Sequence, residues 1–308
     1  MQFRHLRYFV KIVEAGSFSR AATTIHVAQP ALSQQIAELE ELLGVQLLHR
    51  SARGVRPTVA GDALYREALA MLRQMERIPD IVRSAGGEAQ GIVSVGMSST
   101  LASTMAGALM DACKQALPLV SLRFITSDSL ELRSRIDDQT LDLAIVFEDV
   151  PTAGYARKSL FRQRLFLIRR KRTPRSPASI TLQEMAALPL ILPSAPNVLR
   201  GLIDRVFTDA GLSPNIAAET DVFSGMMSAI HAGLGNAILP RGDFSDVPGH
   251  TAVLPLLIEP PLYLTANVVS STEAPLTRAG EAVRDLLGVF FNAHLADKAV
   301  VGAERVSD

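Results

Sequence analysis

Hydrophobic positions in the first 45 residues of the chain recur every three or four residues, which is the spacing of amphipathic helices. Three helices are predicted, at about 3–15, 18–25 and 30–43. Ser17 is suited to cap the second helix, because its hydroxyl can accept a free N–H group of the first turn. Pro30 is suited to the first position of the third helix, and Gly44 to its end. The segment from Phe18 to Ala37 therefore has the pattern of a helix–turn–helix unit.

The exposed face of the third predicted helix carries short polar groups in its first two turns and acidic residues only in later turns. Its polar positions are Gln29, Pro30, Ser33 and Gln34. A helix that enters the major groove of DNA by its N-terminal end would bring only these positions to the base edges. We therefore predict a DNA-binding unit. A helical hairpin in an unrelated α-helical domain is the alternative.

Two short extended runs follow this unit, at 46–50 and 55–57, and they flank a turn that ends in glycine. This pattern predicts a β-hairpin beside the helices. Arg50 and Arg53 lie on the hairpin, with Arg56, where they are well placed to contact phosphates or the minor groove. The alternative is a solvated basic turn.

A long helix is predicted from an N-cap at Thr58 to about residue 85. Its apolar residues alternate at spacings of four and three, which is the heptad pattern of paired helices: Leu64, Ala68, Met71, Met75, Ile78, Val82 and Ala85. We expect the same helix of a second subunit as the partner, so that 59–85 forms a homodimer. Pro79 removes one backbone donor and is expected to kink or end the helix near Ile78.

Beyond a glycine-rich linker at 84–91, extended apolar runs alternate with helical segments. Strands are predicted at 92–97, 119–126, 141–147, 164–170, 188–193, 215–220, 234–240 and 262–270. Helices are predicted between them and at 276–295, and a variable loop is expected before the last strand. This βαβ alternation implies parallel sheets with right-handed crossovers. The chain is thus predicted to continue into two α/β lobes with a cleft between them.

Hydroxyl-bearing residues follow several of the predicted strands. In parallel α/β lobes, ligands bind at the carboxyl ends of strands, close to helix N-termini. The turns at these ends hold Ser98, Ser99, Thr100, Ser127, Ser129, Ser194 and Asn197, and Phe147 ends the third strand. We expect the turns to converge on one binding cleft. The alternative is that these residues serve only as helix caps.

The distribution of charge supports a nucleic-acid-binding head. Residues 1–60 hold seven Lys/Arg and four Asp/Glu, a net charge of +3, whereas the 308-residue chain sums to zero. The remainder is therefore slightly acidic, as suits a body that does not bind DNA.

Several classes of protein are disfavoured by what the sequence lacks. No segment approaches the apolar length of a membrane span, and the N-terminus lacks a signal-peptide core, so a cytoplasmic protein is expected. Cys113 is the only cysteine and is expected to be a buried small hydrophobe, with a single reactive thiol as the alternative. The six histidines have no metal-ligand spacing, and no P-loop or G-x-S-x-G motif is present. We therefore expect no enzyme, metal or cofactor. A cytoplasmic solute-binding protein or an architectural DNA-binding protein without effector control remains the alternative.

The block FSRAATTIHVAQPALSQQIAELEELLGVQLLHR, the following RGVRPTVAG, the glycine linker and the repeated lobes together resemble LysR-type transcriptional regulators. The resemblance covers essentially the whole chain, and the N-terminal third is most similar to the nitrogen assimilation control branch. It implies a winged helix–turn–helix domain at 1–58, a dimerising linker helix at 59–90 and an effector-binding domain at 91–308. The last would resemble periplasmic binding proteins, with one lobe at about 91–162 and 265–308 and the other at about 163–264.

The resemblance also implies partners and site residues. Members of the family usually assemble as dimers of dimers on double-stranded promoter DNA and respond to a small-molecule effector, and a contact with RNA polymerase is left open. The DNA-contacting positions of the family fall on Gln29, Pro30, Ser33, Gln34, Arg50 and Arg53. Many relatives have a basic residue in place of Gln34. Thr100, Ser129 and the turn at 194–199 align with effector-contacting positions. Some relatives have an arginine in place of Phe147, and its absence argues against a strongly anionic effector or for one held by backbone amides alone.

Overall fold

The computed structural model describes residues 1–51, 54–84, 87–148, 152–170, 178–240, 253–296 and 302–306. The chain divides into two compact units, which are described separately. One comprises Met1–Ala85 with Asp137–Thr140, and the other comprises Gly86–Ile136 with Leu141–Asp308.

The first unit is a helical head with a two-stranded hairpin. Its elements are α1 (Phe3–Ala15), α2 (Phe18–Thr24), α3 (Gln29–Leu43), β1 (Leu48–Ser51), β2 (Gly54–Pro57) and α4 (Val59–Ser84). Strands β1 and β2 pair antiparallel. The buried core of the head is formed by Phe9, Ile12, Ala21, Ala22, Leu32, Ile36, Leu39, Leu47 and Leu48. The predicted helices and hairpin are therefore confirmed.

The ends of these helices are formed by the residue types that the sequence predicts. The Ser17 hydroxyl accepts a hydrogen bond from the backbone N–H of Arg20, and the Thr58 hydroxyl accepts one from Gly61. Gly44 ends α3 in the left-handed conformation, with φ of 68°. Pro30 is the second rather than the first residue of α3, because the helix begins at Gln29.

Helix α4 runs without interruption through Pro79 to Ser84, so the prediction that Pro79 could end the helix is wrong. The fixed φ of proline is compatible with a helix, and the residue removes only one backbone donor. The Pro79 carbonyl accepts a hydrogen bond from Arg83 Nε at 3.2 Å.

The heptad residues of α4 fall into two groups. Leu64 and Ala68 pack against α1 of the same chain, beside Leu6 and Val10. The described residues further along the heptad pattern are exposed, namely Met71, Met75, Ile78 and Val82. Ala85 lies outside the described residues. Intrachain packing therefore uses the first turns of the pattern, and the exposed apolar face begins only at Met71.

The second unit has an α/β architecture. Its elements are β3 (Gly91–Met97), α5 (Ser99–Ala116), β4 (Val120–Thr126), α6 (Ser129–Asp137), β5 (Leu143–Glu148), β6 (Tyr155–Arg170), β7 (Ser179–Thr181), α7 (Leu182–Ala186), β8 (Leu190–Leu192), α8 (Val198–Asp209), β9 (Ile216–Glu219), α9 (Phe223–Ala232), β10 (Ala237–Pro240), β11 (Val253–Glu259), β12 (Tyr263–Ser271), α10 (Arg278–Ala296) and β13 (Ala303–Glu304). Strand β3 pairs in parallel with both β4 and β5, and β8 pairs in parallel with β9. The predicted parallel pairing is confirmed for these strands.

Strand β6 is longer than the sequence predicts. It spans Tyr155–Arg170, whereas the apolar pattern predicts a strand only at 164–170. Its first part, to Arg164, pairs antiparallel with β12, and its last part pairs antiparallel with β10 and β11. The first part escapes prediction because polar and charged residues run through it without a clear apolar period.

Strand β11 lies in the segment where only a variable loop is expected from the sequence, so that prediction is wrong for 253–259. Pro255 argues against a central strand in the sequence, because it cannot donate to a sheet ladder. In the structure Pro255 lies opposite Ile168 of β6, while β11 pairs with β7 only from Leu257 onwards. Among the described residues, the proline therefore lies where β11 has a neighbouring strand on one side only.

Cys113 lies on α5 with 2% of its surface exposed, in the core between this helix and the sheet. Burial raises the pKa of its thiol. The prediction of a buried small hydrophobe is confirmed. Among the described residues, no helix combines the length and the hydropathy that crossing a membrane requires.

A buried charge network lies at the end of β5. The Glu148 carboxylate is 3.3 Å from Arg133 Nη2 and 3.8 Å from Arg157 Nη1. Asn267 on β12 donates to the same carboxylate at 3.1 Å. Glu148 is 2% exposed, so removal of its arginine partners would leave a charge without compensation inside the sheet.

Gly61 provides a test of packing within the head. An added Cβ at this position would collide with the carbonyl oxygen of Leu47, which is backbone and cannot rotate aside. We expect Gly61→Ala to destabilise the head by about 2 kcal/mol or more. Hydrogen exchange of backbone amides in increasing urea, measured separately for peptides of each unit, checks this expectation.

Gly107 on α5 is the matched control, because nothing lies within 4 Å of a Cβ added there. Gly107→Ala should stabilise its helix by up to about 1 kcal/mol. Equal protection of the head in wild type and Gly61→Ala would contradict the packing argument.

Candidate DNA-binding surface and ligand cleft

The first two turns of α3 present a polar surface. Gln29, Pro30 and Gln34 are exposed, and Ser33 is half-buried. Gln29 Oε1 accepts a hydrogen bond from Ser19 Oγ of α2 at 2.9 Å. Gln34 Nε2 donates to Glu38 Oε1 one turn later at 3.0 Å. Both glutamine amides are therefore oriented by neighbouring side chains.

The hairpin is joined to α3 by the carboxylate of Glu40. One oxygen of this carboxylate accepts hydrogen bonds from the backbone N–H groups of Leu47 and Leu48, at 2.8 and 3.2 Å. The other oxygen is 3.3 Å from Nη2 of Arg50. Hydrogen bonds to an ionised group contribute about 1.5–3 kcal/mol each. Glu40 therefore fixes the chain between α3 and β1 in place.

Arg50 connects this carboxylate to the predicted reading surface. Its Nη1 donates to the Ser33 hydroxyl at 3.3 Å, and its guanidinium lies 4.8 Å from the ring centroid of Phe18. The side chain is still 42% exposed, so it remains accessible from solvent while these contacts orient it. Arg53, the other predicted contact on the hairpin, lies outside the described residues.

The hairpin also packs against the connection between α1 and α2. Val55 donates its backbone N–H to the Gly16 carbonyl at 2.9 Å. A Cβ at Gly54 would lie 2.7 Å from the same carbonyl oxygen, and φ of +120° at Gly54 also favours glycine. Glycine at the end of the turn thus permits the close approach that positions the hairpin.

The second unit contains a cleft of about 520 Å³. Its lining consists of Ser98, Ser99, Thr126, Ser127, Asp128, Ser129, Phe147, Pro193, Asn197, Val198, Leu199, Asp221, Val222, Phe223, Ser224, Met226, Leu239, Pro240 and Leu264. The cleft is bordered by the first residues of α5, α6, α8 and α9. It has the size of a small-molecule site, with apolar walls and a limited number of polar groups.

Several polar residues of the lining also cap helices. Ser98 Oγ accepts from the Leu101 N–H at 3.3 Å, and Asn197 Oδ1 accepts from the Leu199 N–H at 2.9 Å. Asp128 Oδ1 caps α6 by accepting from the Leu130 N–H at 2.8 Å. These contacts support the cap interpretation for Ser98 and Asn197, but both residues also line the cleft.

Ser129 is buried and accepts a hydrogen bond from the backbone N–H of Phe147 at 3.0 Å. This bond joins the start of α6 to the end of β5. The Phe147 ring packs edge-on against Phe161, with centroids 6.3 Å apart. Phe147 therefore forms a fixed apolar wall of the cleft.

The charged residues among the described lining are both acidic, namely Asp128 and Asp221. Arg200 lies close by on α8, but its guanidinium is bound to Glu219 and Asp204, and these hydrogen bonds raise the pKa of Arg200. The nearby cation is therefore already paired, and the cleft has an acidic rather than basic character.

Most of the predicted cleft residues come together in the structure. Ser98, Ser99, Ser127, Ser129, Phe147 and Asn197 all belong to the lining. Ser194 does not line the described cleft; its backbone N–H donates to Asp221 Oδ1 at 3.0 Å. The side chain of Thr100 lies outside the described residues.

The turn before α9 contributes to the lining without having been predicted from the sequence. It supplies Asp221 and Val222, and the first residues of α9 add Phe223 and Ser224. The sequence does contain a signal that could have identified this turn as part of the cleft, since the turn also joins a predicted strand to a predicted helix. The turn nevertheless differs from the hydroxyl-rich turns at the other strand ends, because its acid is followed by two large apolar residues.

The geometry defines a class of protein: a winged helix–turn–helix head joined in one chain to an α/β unit with a small-molecule cleft. Two family models match the same two parts. Residues 3–62 match the bacterial regulatory helix-turn-helix protein, lysR family, and residues 86–290 match the LysR substrate binding domain. The chain belongs to the LysR family of bacterial transcriptional regulators, and neither matching model describes an enzyme.

Relatives in the family agree with this assignment. The chain is 33% identical over 300 residues to the nitrogen assimilation regulatory protein nac of Escherichia coli strain K12, in a match that covers 97% of this chain and 98% of that protein. It is also 33% identical over 289 residues to the nac protein of Klebsiella aerogenes, covering 93% and 94% of the two chains. The predicted similarity to the nitrogen assimilation control branch is confirmed.

The fold is shared with solved structures of the family. Full-length CbnR complexed with its target DNA superimposes with a TM-score of 0.71 at 22% identity, covering 93% of this chain and 99% of that chain. A full-length OxyR variant from Pseudomonas aeruginosa gives a TM-score of 0.66 at 24% identity, covering 94% and 98%. At these identities the likeness establishes the fold alone, over the 93% and 94% of this chain that the two matches cover.

Substitution of Glu40 tests how the hairpin is held. In Glu40→Gln the amide oxygen can still accept from one backbone N–H, but the negative charge that faces Arg50 is lost. We expect the head to lose about 1–3 kcal/mol of stability and the Leu47 and Leu48 amides to exchange faster. Urea unfolding followed by amide exchange measures both effects.

Glu41 is the matched control, because it is exposed on the same helix and its side chain takes part in no described hydrogen bond or ion pair. Glu41→Gln should leave stability within about 0.5 kcal/mol of wild type. Equal losses in the two variants would show that overall charge, rather than the Glu40 contacts, stabilises the head.

Proposed function

We propose that the protein binds promoter DNA in a sequence-specific manner through the first two turns of α3 and that a small molecule in the cleft controls this activity. The observation that carries the proposal is the accessible set Gln29, Pro30, Ser33 and Gln34. These residues lie at the N-terminal end of a helix that a hairpin supports from one side. A helix entering the major groove by this end reads bases with such residues.

The orientation of Gln34 suggests how it reads DNA. Its Nε2 is directed at Glu38, and no described hydrogen bond uses its Oε1. An amide oxygen in the major groove accepts a hydrogen bond from the amino group of adenine or cytosine. Relatives with a basic residue at this position would present donors instead. We therefore propose Gln34 as a residue that distinguishes the operator of this protein.

The proposed assembly is a homodimer through 59–85, and two dimers form a tetramer on DNA. The exposed apolar side chains of α4, from Met71 to Val82, support this arrangement, because a second helix of the same kind would remove them from water. Two heads held in this way would bind two half-sites of a pseudo-palindromic operator. A protein bound at a promoter in the cytoplasm is also within reach of RNA polymerase.

The proposed domain boundaries separate the parts that are proposed to bind DNA, to dimerise and to bind the effector. Residues 1–58 form the winged helix–turn–helix domain, 59–90 the linker helix and hinge, and 91–308 the effector-binding domain. Within the last, one lobe comprises about 91–162 and 265–308, and the other about 163–264.

The effector is proposed to be neutral or cationic, with an apolar portion. Asp128 and Asp221 would repel a carboxylate or phosphate, whereas serine hydroxyls and the Asn197 amide offer hydrogen bonds to neutral polar groups. Phe147, Phe223 and Leu264 supply apolar walls. The proposed contacts remain Ser98, Ser99, Thr100, Ser127, Ser129, Phe147, Ser194 and Asn197.

Alanine substitutions of Ser33 and Gln34 test the reading surface. The operator is first selected from genomic fragments with the wild-type full-length protein, and affinity is then measured by gel shift at physiological salt. Each substitution should weaken specific binding about tenfold to a hundredfold, because each removes a group that contacts bases or orients Arg50. Arg53→Ala should instead weaken binding to all sequences and lower the salt dependence by about one counterion.

Gln115→Ala is the matched control, because Gln115 is an exposed glutamine on α5 that is hydrogen-bonded to an acid four residues away, as Gln34 is. This variant should bind the operator like wild type. Unchanged operator affinity in both Ser33→Ala and Gln34→Ala would overturn the assignment of the reading surface.

A thermal-shift screen of metabolites with the full-length protein tests the cleft. Stabilising compounds should be neutral or cationic, and Ser127→Ala should reduce their stabilisation about threefold or more in apparent affinity. Ser121→Ala, at an exposed position of β4, is the matched control. Stabilisation mainly by anions, insensitive to Ser127→Ala, would contradict the proposed effector class.

A further inference from the structure

A second cavity of about 370 Å³ lies between α10 and the sheet. Its lining is Leu143, Ala156, Arg157, Lys158, Val268, Val269, Ser270, Arg284 and Asp285. None of these residues belongs to the cleft described above. The cavity contains basic side chains, in contrast to the acidic cleft.

Strand register identifies which side chains face α10. Lys158 of β6 lies opposite Val268 of β12, and Ala156 lies opposite Ser270. Cross-strand partners project from the same face of a sheet. Val268 packs in the same core as Leu287 of α10, so this face is the one that α10 covers.

Arg157 projects from the opposite face. Its Nη2 donates to the Thr152 carbonyl at 2.7 Å, and its Nη1 lies 3.8 Å from the buried Glu148 carboxylate. Its guanidinium is therefore committed to the buried network. Lys158 and Arg284 are therefore the cationic side chains of the lining that can contact a ligand in the cavity.

The exposed Lys158 side chain lies beside Gly288 of α10. A Cβ added at Gly288 would lie only 2.9 Å from Lys158 Nζ. Glycine in the middle of a helix costs about 1 kcal/mol relative to alanine, and here it makes room for the lysine. No described hydrogen bond or ion pair includes the Lys158 side chain, whereas Arg284 Nε is 3.3 Å from Asp285 Oδ1. Lys158 thus brings an unneutralised charge to the cavity among the described residues.

Ser270 offers the cavity a second polar group beside Lys158. It is only 3% exposed, lines the cavity, and its hydroxyl takes part in no described hydrogen bond. The Ser270 oxygen itself is not fully buried, because it reaches the space of the cavity. A ligand in the cavity could supply the missing partner.

We propose that this cavity binds a small organic monocarboxylate. The carboxylate would accept hydrogen bonds from the Lys158 ammonium and the Ser270 hydroxyl, with Arg284 at the rim. The short apolar part would lie against Leu143, Ala156 and Val268. A single unneutralised cation beside apolar walls suits one carboxylate better than a doubly charged, fully hydrated phosphate. The proposal concerns a separate cavity and does not depend on the effector of the cleft.

Calorimetric titration of the full-length protein with hexanoate tests the proposal, with hexylammonium and inorganic phosphate as comparison probes. Hexanoate should bind in a saturable manner, and both comparison probes more weakly. Lys158→Met should weaken hexanoate binding about tenfold or more, because it removes a charge-assisted hydrogen bond and keeps the length of the side chain. Lys158→Arg should retain binding. Lys114→Met, on the exposed surface of α5, is the matched control and should bind like wild type.

The position of the bound ligand is determined from the carbon NMR signals of the lysine side chains. Lysine side chains are reductively methylated with labelled carbon, which keeps their charge, and the Lys158 signal is assigned by its absence in Lys158→Arg. Hexanoate should shift the Lys158 signal and leave that of Lys114 unchanged. Gly288→Ala, which adds a Cβ beside Nζ, should weaken binding while Lys158 is still present.

Two results would overturn the proposal. One is the absence of saturable hexanoate binding. The other is binding that leaves the Lys158 signal unshifted and has equal strength in wild type and Lys158→Met, because the ligand then occupies another site.

Discussion

The DNA-binding head depends on the carboxylate of Glu40. It accepts hydrogen bonds from two backbone amides at the start of the hairpin and faces the guanidinium of Arg50, so one charged group joins α3 to the hairpin. Through Arg50 the same network reaches Ser33 on the reading surface. Glu40 lies on the helix that faces DNA in our proposal, yet its charge is used inside the head. An acid on this helix is therefore compatible with binding a polyanion.

The second unit depends on a comparable shared element, strand β6. Its first part pairs with β12 and its last part with β10 and β11, so a single strand belongs to the hydrogen-bond ladders of both halves of the sheet. The buried carboxylate of Glu148 joins α6, β6 and β12 at one end of this arrangement. Phe147, the neighbouring residue, is bonded to Ser129 at the start of α6. The wall of the cleft is consequently part of the buried framework.

The features that the sequence predicts correctly have local causes. Ser17, Gly44 and Thr58 cap helices through contacts within a few residues, and the apolar period of α3 decides which of its faces is buried. The strand ends that border the cleft are also predictable, because within each sheet the parallel βα units bring their carboxyl ends to the same edge. Ser98 and Asn197 follow from that rule alone.

The features that escape prediction depend instead on partners distant in sequence. The contact of Arg50 with Ser33 and Glu40 requires the hairpin to fold back on α3, and nothing in the sequence of the hairpin specifies it. Strand β11 is compatible with Pro255 because, within the part of the chain that the structure describes, β7 pairs with β11 only from Leu257 onwards. The heptad pattern predicts one continuous seam, but α1 covers its first members.

The two cavities of the second unit differ in the sign of their charge, and this difference has a physical consequence. Opposite charges attract and like charges repel, and for exposed groups such as Lys158, Asp128 and Asp221 each such interaction contributes about 0.2–1 kcal/mol. The cleft has Asp128 and Asp221 among its described lining, and the second cavity has Lys158 with Arg284. A small anion is thus disfavoured where a neutral or cationic ligand is accommodated, and favoured where Lys158 is unneutralised. Under the two proposals, the unit would receive two chemically distinct signals without competition for one site. Because β6 and β12 both contact the second cavity and also pair through the centre of the sheet, a ligand there would act on the same strands that support the cleft.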